Sequence, residues 1–407
     1  MFLDVLRRRN PQFLDAISTL HASGRLPANC YVIDLDTVRR NAAAFAAAAE
    51  PLGLTVFAMT KQIGRNPDVS RALVEAGITH AVGVDLQCAV AARAGGLGVG
   101  HIGHLVQVPR HDADAAAALK PLYWTVFNED KAREAGAAAQ ALGRTQDVLV
   151  RIHAPGDRFY VGHEGGFAAE TVVETADLID AIPGVRFAGV TSFPATLFDQ
   201  AAKAAVATPN RSTLTRAARA LRASRGEVEV NAPGTTSVSV LSDLAEAGAT
   251  QVEPGHGLTG TTPLHAMADL IEEPAVAYLS EVSHLHDQRA YVFGGGLYVD
   301  PVLGESHTAA LVVEPGSQDV ARALPHPVEM PAPAAIDYYA RIPLASDSAA
   351  RVGDTVIFGF RPQVFVTRAL TAAVSGISTG DPRVEGLWSA DGSAPPMTAD
   401  TTTGVTP

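Results

Sequence analysis

Apolar positions along the chain fall into two textures. Between residues 55 and 254 short, nearly continuous apolar runs alternate with longer polar-faced or alanine-rich stretches, whereas beyond Leu270 the runs alternate position by position and helical signals nearly vanish. Continuous runs are what a parallel sheet covered on both faces requires. They predict strands at Thr55–Met59, Thr79–Val84, His101–Val106, Leu122–Phe127, Asp147–His153, Val185–Ser192 and Glu227–Asn231, and an eighth in ATQVEP, which ends at Pro254. Eight strand–helix units over about 200 residues predict a (β/α)8 TIM barrel, with an open doubly wound sheet as the alternative.

The flanks complete the expected architecture. Residues 1–28 read as two short helices broken at Pro11, a segment expected to pack with the β domain; CYVIDL from Cys30 reads as a strand, and Asp36 as N-cap of the alanine-rich helix that follows. The expected division is therefore a barrel over 29–268, a smaller C-terminal mainly-β domain over 269–388 with a proline-rich connection at Pro325–Asp337, and a disordered Thr/Pro/Ala/Gly-rich tail over 389–407.

Composition removes several function classes. With 407 residues, 47% hydrophobic and 18% charged, the chain can bury two substantial cores. A net charge of −12, with Arg7 to Arg9 as its longest basic run, argues against nucleic acid. Two cysteines, Cys30 and Cys88, argue against a disulfide framework or a cysteine-based zinc site. The N-terminus lacks a signal-peptide core and no window resembles a membrane span, so a cytoplasmic protein is expected.

In a barrel, the residues that follow the strands converge on one mouth. Here they are Lys61, Asp85, Gln107, Asn128, Arg151 with His153, Ser192, Asn231 and Glu253. A lysine shielded by apolar walls gains the neutral fraction needed to form a Schiff base; the alternative is an ion pair with a carboxylate such as Glu253. After the seventh strand, NAPGTTS (Asn231–Ser237) offers backbone amides and the hydroxyls of Thr235, Thr236 and Ser237 at a helix start; EPGHGLTGTTP (Glu253–Pro263) follows the eighth. Paired loops of this kind at adjacent strand ends suit a phosphate.

A lysine after strand one, a phosphate cradle after strands seven and eight and a carboxylate on strand eight resemble the fold type III pyridoxal-phosphate enzymes, the alanine racemase-like superfamily. TKQIGRNP, TSFPATLF, EPGHGLTGTTP, FGGGLYVDP and GFRPQVFVTR resemble its YhfX group over nearly the whole chain. The resemblance implies pyridoxal 5'-phosphate held as an aldimine on Lys61. It implies a phosphate site from Thr235, Thr236, Gly255, His256, Gly257, Thr259, Gly260 and Thr261, and Glu253 beside the pyridine nitrogen, where alanine racemases place arginine. A carboxylate there keeps the ring protonated, which suits carbanion chemistry in general rather than racemisation in particular.

By the same resemblance Arg158 would meet the substrate carboxylate, and Arg151 stands where racemases carry a lysine that is often modified. Tyr298, from a partner subunit in a head-to-tail homodimer, would be the second acid/base; Tyr338 and Tyr339 qualify by residue type. Arg361 and Gln363 would contact an anionic substrate group. No metal is expected, since the histidine and cysteine or aspartate of related zinc enzymes are replaced near Arg361, and in SHLHDQ, with His284, His286 and Asp287, the two histidines lack a third placed ligand. The expected activity is an amino-acid racemase or epimerase. A lyase or decarboxylase on an amino acid or amino-phosphonate, a non-catalytic cofactor carrier and a cofactor-free Schiff-base aldolase remain as alternatives.

Overall fold

A computed structural model describes residues 2–297, 308–332, 335–362 and 367–395. Eight parallel strands, Thr55–Met59, His80–Gly83, Gly98–Ile102, Tyr123–Val126, Gln146–His153, Val185–Thr191, Glu229–Asn231 and Gln251–Val252, pair in chain order. The last returns to the first through Gln251 opposite Thr55 and Val252 opposite Val56, so the sheet is a closed barrel. The doubly wound alternative is thereby excluded.

Alternation divides each barrel strand between two environments. Val148, Val150 and Ile152 pack in the shell between sheet and helices, with Val172, Ala176 and Ile179, while Phe57, Met59, Val82 and Val84 form a separate buried cluster. Burial of one such aliphatic side chain is worth roughly 1.5–3 kcal/mol, so shell and interior together fix the strand register.

The third strand departs from the sequence expectation. It runs over Gly98–Ile102 rather than His101–Val106, and the register against the second strand slips by one residue, Ala81 facing Val99 and Val82 facing His101. Gly100 is the extra residue. Such a bulge turns the following side chain to the other face, which decides where His101 points.

Two strand-end residues prove to be helix caps. Asp85 accepts from Cys88 N at 2.7 Å and Asn128 from Lys131 N at 2.9 Å, each closing the first turn of the next helix. Gln107 staples a loop, donating to Gly103 O and Thr125 O and accepting from Phe127 N. The N-cap of helix Leu35–Ala49 is Asp34, not Asp36, because the Asp34 carboxylate receives both Thr37 N and the Thr37 hydroxyl.

The second sheet is built on Val276–His286, which pairs with Cys30–Asp34, Thr355–Phe358 and Arg289–Phe293. Cys30–Asp34 also pairs in parallel with Leu370–Ser375. This strand precedes the barrel in sequence yet lies in the β sheet, so a boundary at residue 29 does not separate the two sheets. Helices Phe2–Arg9 and Pro11–Ala22 bury Leu6, Phe13, Leu14 and Ile17 against Val32, Leu279, Ile357 and Val374 of that sheet. The start of the expected tail is ordered: Ser389 and Ser393 close a turn, and Ala390 O accepts from Arg65 Nη1 at 3.1 Å. Among the described residues, no helix is long and apolar enough to cross a membrane.

Candidate active site

Glu253 follows the eighth strand and is buried at the mouth of the barrel. Its Oε1 accepts from His101 Nδ1 at 2.6 Å and from Asn231 Nδ2 at 3.0 Å. Its Oε2 has no hydrogen-bond partner among the described residues and lies 3.6 Å from His104 Nε2. The second nitrogen of His101 meets the Thr125 hydroxyl, and Thr191 donates to Asn231 Oδ1 at 2.8 Å. A polar belt thus crosses the barrel interior.

Burial opposes ionisation of Glu253, but the imidazoles of His104 and His101, with hydrogen bonds from His101 and Asn231, outweigh it and hold the carboxyl below the usual range. His104 is pushed down to about 3, first by burial, with Glu253 opposing and His101, Arg151 and Lys61 adding to the fall. Glu253 is therefore a carboxylate with one oxygen unspent, beside a neutral ring. Such a pair suits a donor that arrives from outside the protein.

Lys61 sits in the turn Thr60–Ile63 directly after the first strand. Burial pushes its ammonium down; Cys88 and Asp85 oppose the fall, and Arg361 and Arg65 add to it. The charge of Lys61 in turn lowers His104, His256 and His163, which puts the amine in one electrostatic neighbourhood with residues from both ends of the barrel sequence. Lys61 therefore shares a field with His256 and with His104, whose Nε2 is 3.6 Å from Glu253.

The two loops after strands seven and eight touch. A Cβ on Gly257 would lie 2.5 Å from Thr236 O and 2.7 Å from the Phe45 ring, so the loops approach as closely as backbone permits. Thr236, Thr259, Thr261 and His256 are buried, and Thr235 is half-buried. Within the second loop Leu258, Thr259, Gly260 and Thr261 spend their amides on turns, whereas among the described residues no loop hydrogen bond engages the amides of Gly255, His256 and Gly257. His256 Nδ1 is 3.1 Å from the Thr261 hydroxyl, and its Nε2 is buried without a partner among the described residues. After the first loop there is a single 3-10 turn, Val238–Val240, and then a short helix, Leu241–Glu246, so the helix dipole invoked for this loop is weak.

Arg158 is exposed, and its backbone N donates to Asn210 Oδ1 at 2.9 Å. Arg151 is instead fully buried at the end of the fifth strand. Arg361 is half-buried and pushed down to about 10 by burial, against the pull of Tyr160. Tyr298 and Gln363 lie outside the described residues. Tyr339 packs against Phe293 and His284, and Tyr338 lies under Arg368.

Sequence reasoning missed His101 and His104. With Glu253 they place three donor atoms within 4.8 Å of one another, a set able to hold a metal ion. Both nitrogens of His101 are already in hydrogen bonds, however, so coordination would break one. The signal available in sequence was the pair of histidines in GVGHIGHL, two strands away from Lys61. His284, considered with His286 and Asp287 as a metal ligand, stacks on Tyr291 at 4.4 Å.

Residues 33–263 match the family described as alanine racemase, N-terminal domain, and residues 277–384 match the YhfX-like C-terminal domain. The uncharacterized protein YhfX of Escherichia coli (strain K12) is 38% identical over 396 residues, covering 97% of this chain and 99% of that one. Among solved structures, D-threonine aldolase from Filomicrobium marinum is similar with a TM-score of 0.65 at 18% identity, covering 90% of this chain and 96% of its own. The Clostridium difficile 630 alanine racemase complex with cycloserine gives 0.63 at 15%, covering 89% and 98%. Diaminopimelate decarboxylase from Helicobacter pylori, complexed with L-lysine, gives 0.63 at 14%, covering 89% and 94%.

Proposed function

This chain belongs to the alanine racemase family, with a YhfX-like C-terminal domain, and on that premise we propose that it is a pyridoxal-phosphate-dependent isomerase, an amino-acid racemase or epimerase. Members of the family bind pyridoxal phosphate. The residues present fit that group. The unspent Oε2 of Glu253 matches a protonated pyridine nitrogen, Lys61 is an amine with a depressed affinity for protons, and Thr236, Thr259, Thr261, His256 and the amides of Gly255 to Gly257 offer donors to a phosphate. When bound, the group supplies an electron sink for the pair left behind as a bond at the substrate α-carbon breaks.

The chain's own residues do the rest. Glu253, held ionised, would keep a proton on the ring nitrogen of that group; His101 and Asn231 hold the carboxylate in place. Lys61, relieved of part of its proton affinity by burial, takes and returns the α-proton. Inversion needs a second acid/base on the opposite face, and Tyr298 from a partner subunit of a homodimer is proposed for it. The observation that carries the proposal is the shared mouth of Lys61 and the unpartnered Glu253 oxygen.

Loss of the protein-bound cofactor absorption in Lys61→Ala, together with α-hydrogen exchange into deuterated water by the wild type, is the expected result. Absence of exchange for every amino acid tried would sink the racemase. A second reading, a lyase or decarboxylase, is favoured by Glu253 itself, because a protonated ring helps those steps equally. Assaying one sample for stereoinversion, ammonia and carbon dioxide separates the two.

A further inference from the structure

Arg151 is a cation the scheme above leaves without a task. It belongs to the alternate set of its strand, since Val150 and Ile152 face the outer shell, so its side chain enters the barrel. Its guanidinium carbon lies 4.9 Å from the centre of the Phe127 ring and 5.5 Å from that of Phe159. Nη2 donates to His163 O at 2.7 Å and to Phe193 O at 3.4 Å, which anchors one corner. Nε and Nη1 are buried and have no acceptor among the described residues. The residue has 0% relative exposure, so bulk water does not supply one.

A buried charged donor left unsatisfied costs several kcal/mol, and such groups mark a place where a partner arrives. Burial pushes Arg151 down to about 10, with Glu164 opposing, so it stays charged at neutral pH. Its charge lowers both His104 and His163, so it shares the field of the mouth. The aromatic faces and the two carbonyls hold the guanidinium still, which reduces the ordering cost of binding an anion.

We propose that Arg151, rather than the exposed Arg158, is the residue that receives the carboxylate of the substrate, through its Nη1 hydrogens. This rests on the reading of the substrate as amino-acid-like. Arg151 is then a specificity-determining residue that orients the α-carbon toward Lys61, and neutral amide analogues bind poorly.

The test titrates acetate and the neutral isostere acetamide into the cofactor-loaded protein at constant ionic strength, reading thermal unfolding. Expected is saturable stabilisation by acetate and none by acetamide, because a ligand bound only by the folded state raises the midpoint with concentration. Arg151→Met should abolish the acetate effect, and Arg151→Lys should retain it with an affinity about 10-fold weaker. An acetate effect that survives intact in Arg151→Met overturns the proposal and leaves the guanidinium a packing element of Phe127 and Phe159. A shift of the resting visible spectrum in Arg151→Met, with acetate binding unchanged, also overturns it and gives the cation to the cofactor's phenolic oxygen. A wild-type protein that takes up no cofactor, yet binds acetate through Arg151, would sink the proposed function and leave this anion site standing.

Discussion

His101 Nδ1 lies 2.6 Å from Glu253 Oε1, a hydrogen bond that ties the third strand to the end of the eighth across the barrel interior. Both side chains are fully shielded, so the bond is made in a medium where a missing partner is costly.

His101→Leu is therefore expected to destabilise the fold by roughly 2–4 kcal/mol, since it leaves a buried carboxylate oxygen with Asn231 alone and strips the Thr125 hydroxyl of its partner. Urea unfolding measures it. Combined with Glu253→Gln, the loss should be well below the sum of the single losses; strict additivity would show that the two side chains do not act as a unit.

His104 sets a pH dependence. Its imidazole is pushed down to about 3, whereas in the unfolded chain it titrates at about 6.5. As pH falls below 6.5 the unfolded state binds a proton that the folded state refuses, so stability declines toward pH 3, by about 1.4 kcal/mol per pH unit for this one group. His256, also pushed well down by burial, acts in the same direction. Glu253 adds to the loss only at lower pH, as the medium falls through the ordinary carboxylate range, because its folded proton affinity is depressed. His104→Phe should flatten the slope between pH 6.5 and 5 in denaturant titrations; a slope equal to that of the wild type would refute the assignment.

Why the sequence exposed one half of this site and hid the other follows from the bulge. Lys61 and Glu253 are legible because each directly follows an apolar run, and the strand count alone puts both at one mouth. His101 is hidden because alternation from Val99, a shell residue, would send it outward, and only the one-residue slip at Gly100 turns it in. Asp85 and Asn128 mislead for a related reason: in a strand–loop–helix unit a polar residue after a strand is also where the next helix needs its cap. The place of Cys30–Asp34 in the second sheet is likewise nonlocal. Its five buried residues fit either sheet, and only pairing with Val276–His286 and Leu370–Ser375 decides between them.

The loop contact gives a paired prediction. A methyl on Gly257 would press on the Thr236 carbonyl at 2.5 Å, which is backbone, whereas one on Gly255 would meet the end of the Gln62 side chain at 2.7 Å, which can swing away. Gly257→Ala should separate the two loops, costing on the order of 1–3 kcal/mol of stability and most of the cofactor retained on gel filtration. Gly255→Ala should keep the fold and retain more cofactor than Gly257→Ala. Equal retention by the two variants would show that the loops do not form a joint phosphate cradle.

The two cysteines are expected to be chemically silent in the folded protein, for different reasons. Cys30 is in the centre of the β sheet, where burial pushes its thiol up and a backbone hydrogen bond only slightly opposes this. Cys88 is nearer the mouth: burial again pushes it up, Asp85 adds to the rise, and Arg65, whose Nε donates to Sγ at 3.0 Å, opposes it. The arginine does not win, so little thiolate forms at neutral pH, and reactivity follows the thiolate. Iodoacetamide should therefore modify neither residue before unfolding and both after it, with mass spectrometry as the readout. Rapid native alkylation of Cys88 would mean that Arg65 outweighs burial. The thiolate would then place a negative charge beside Lys61 and pull its ammonium back up, against the fall that burial produces.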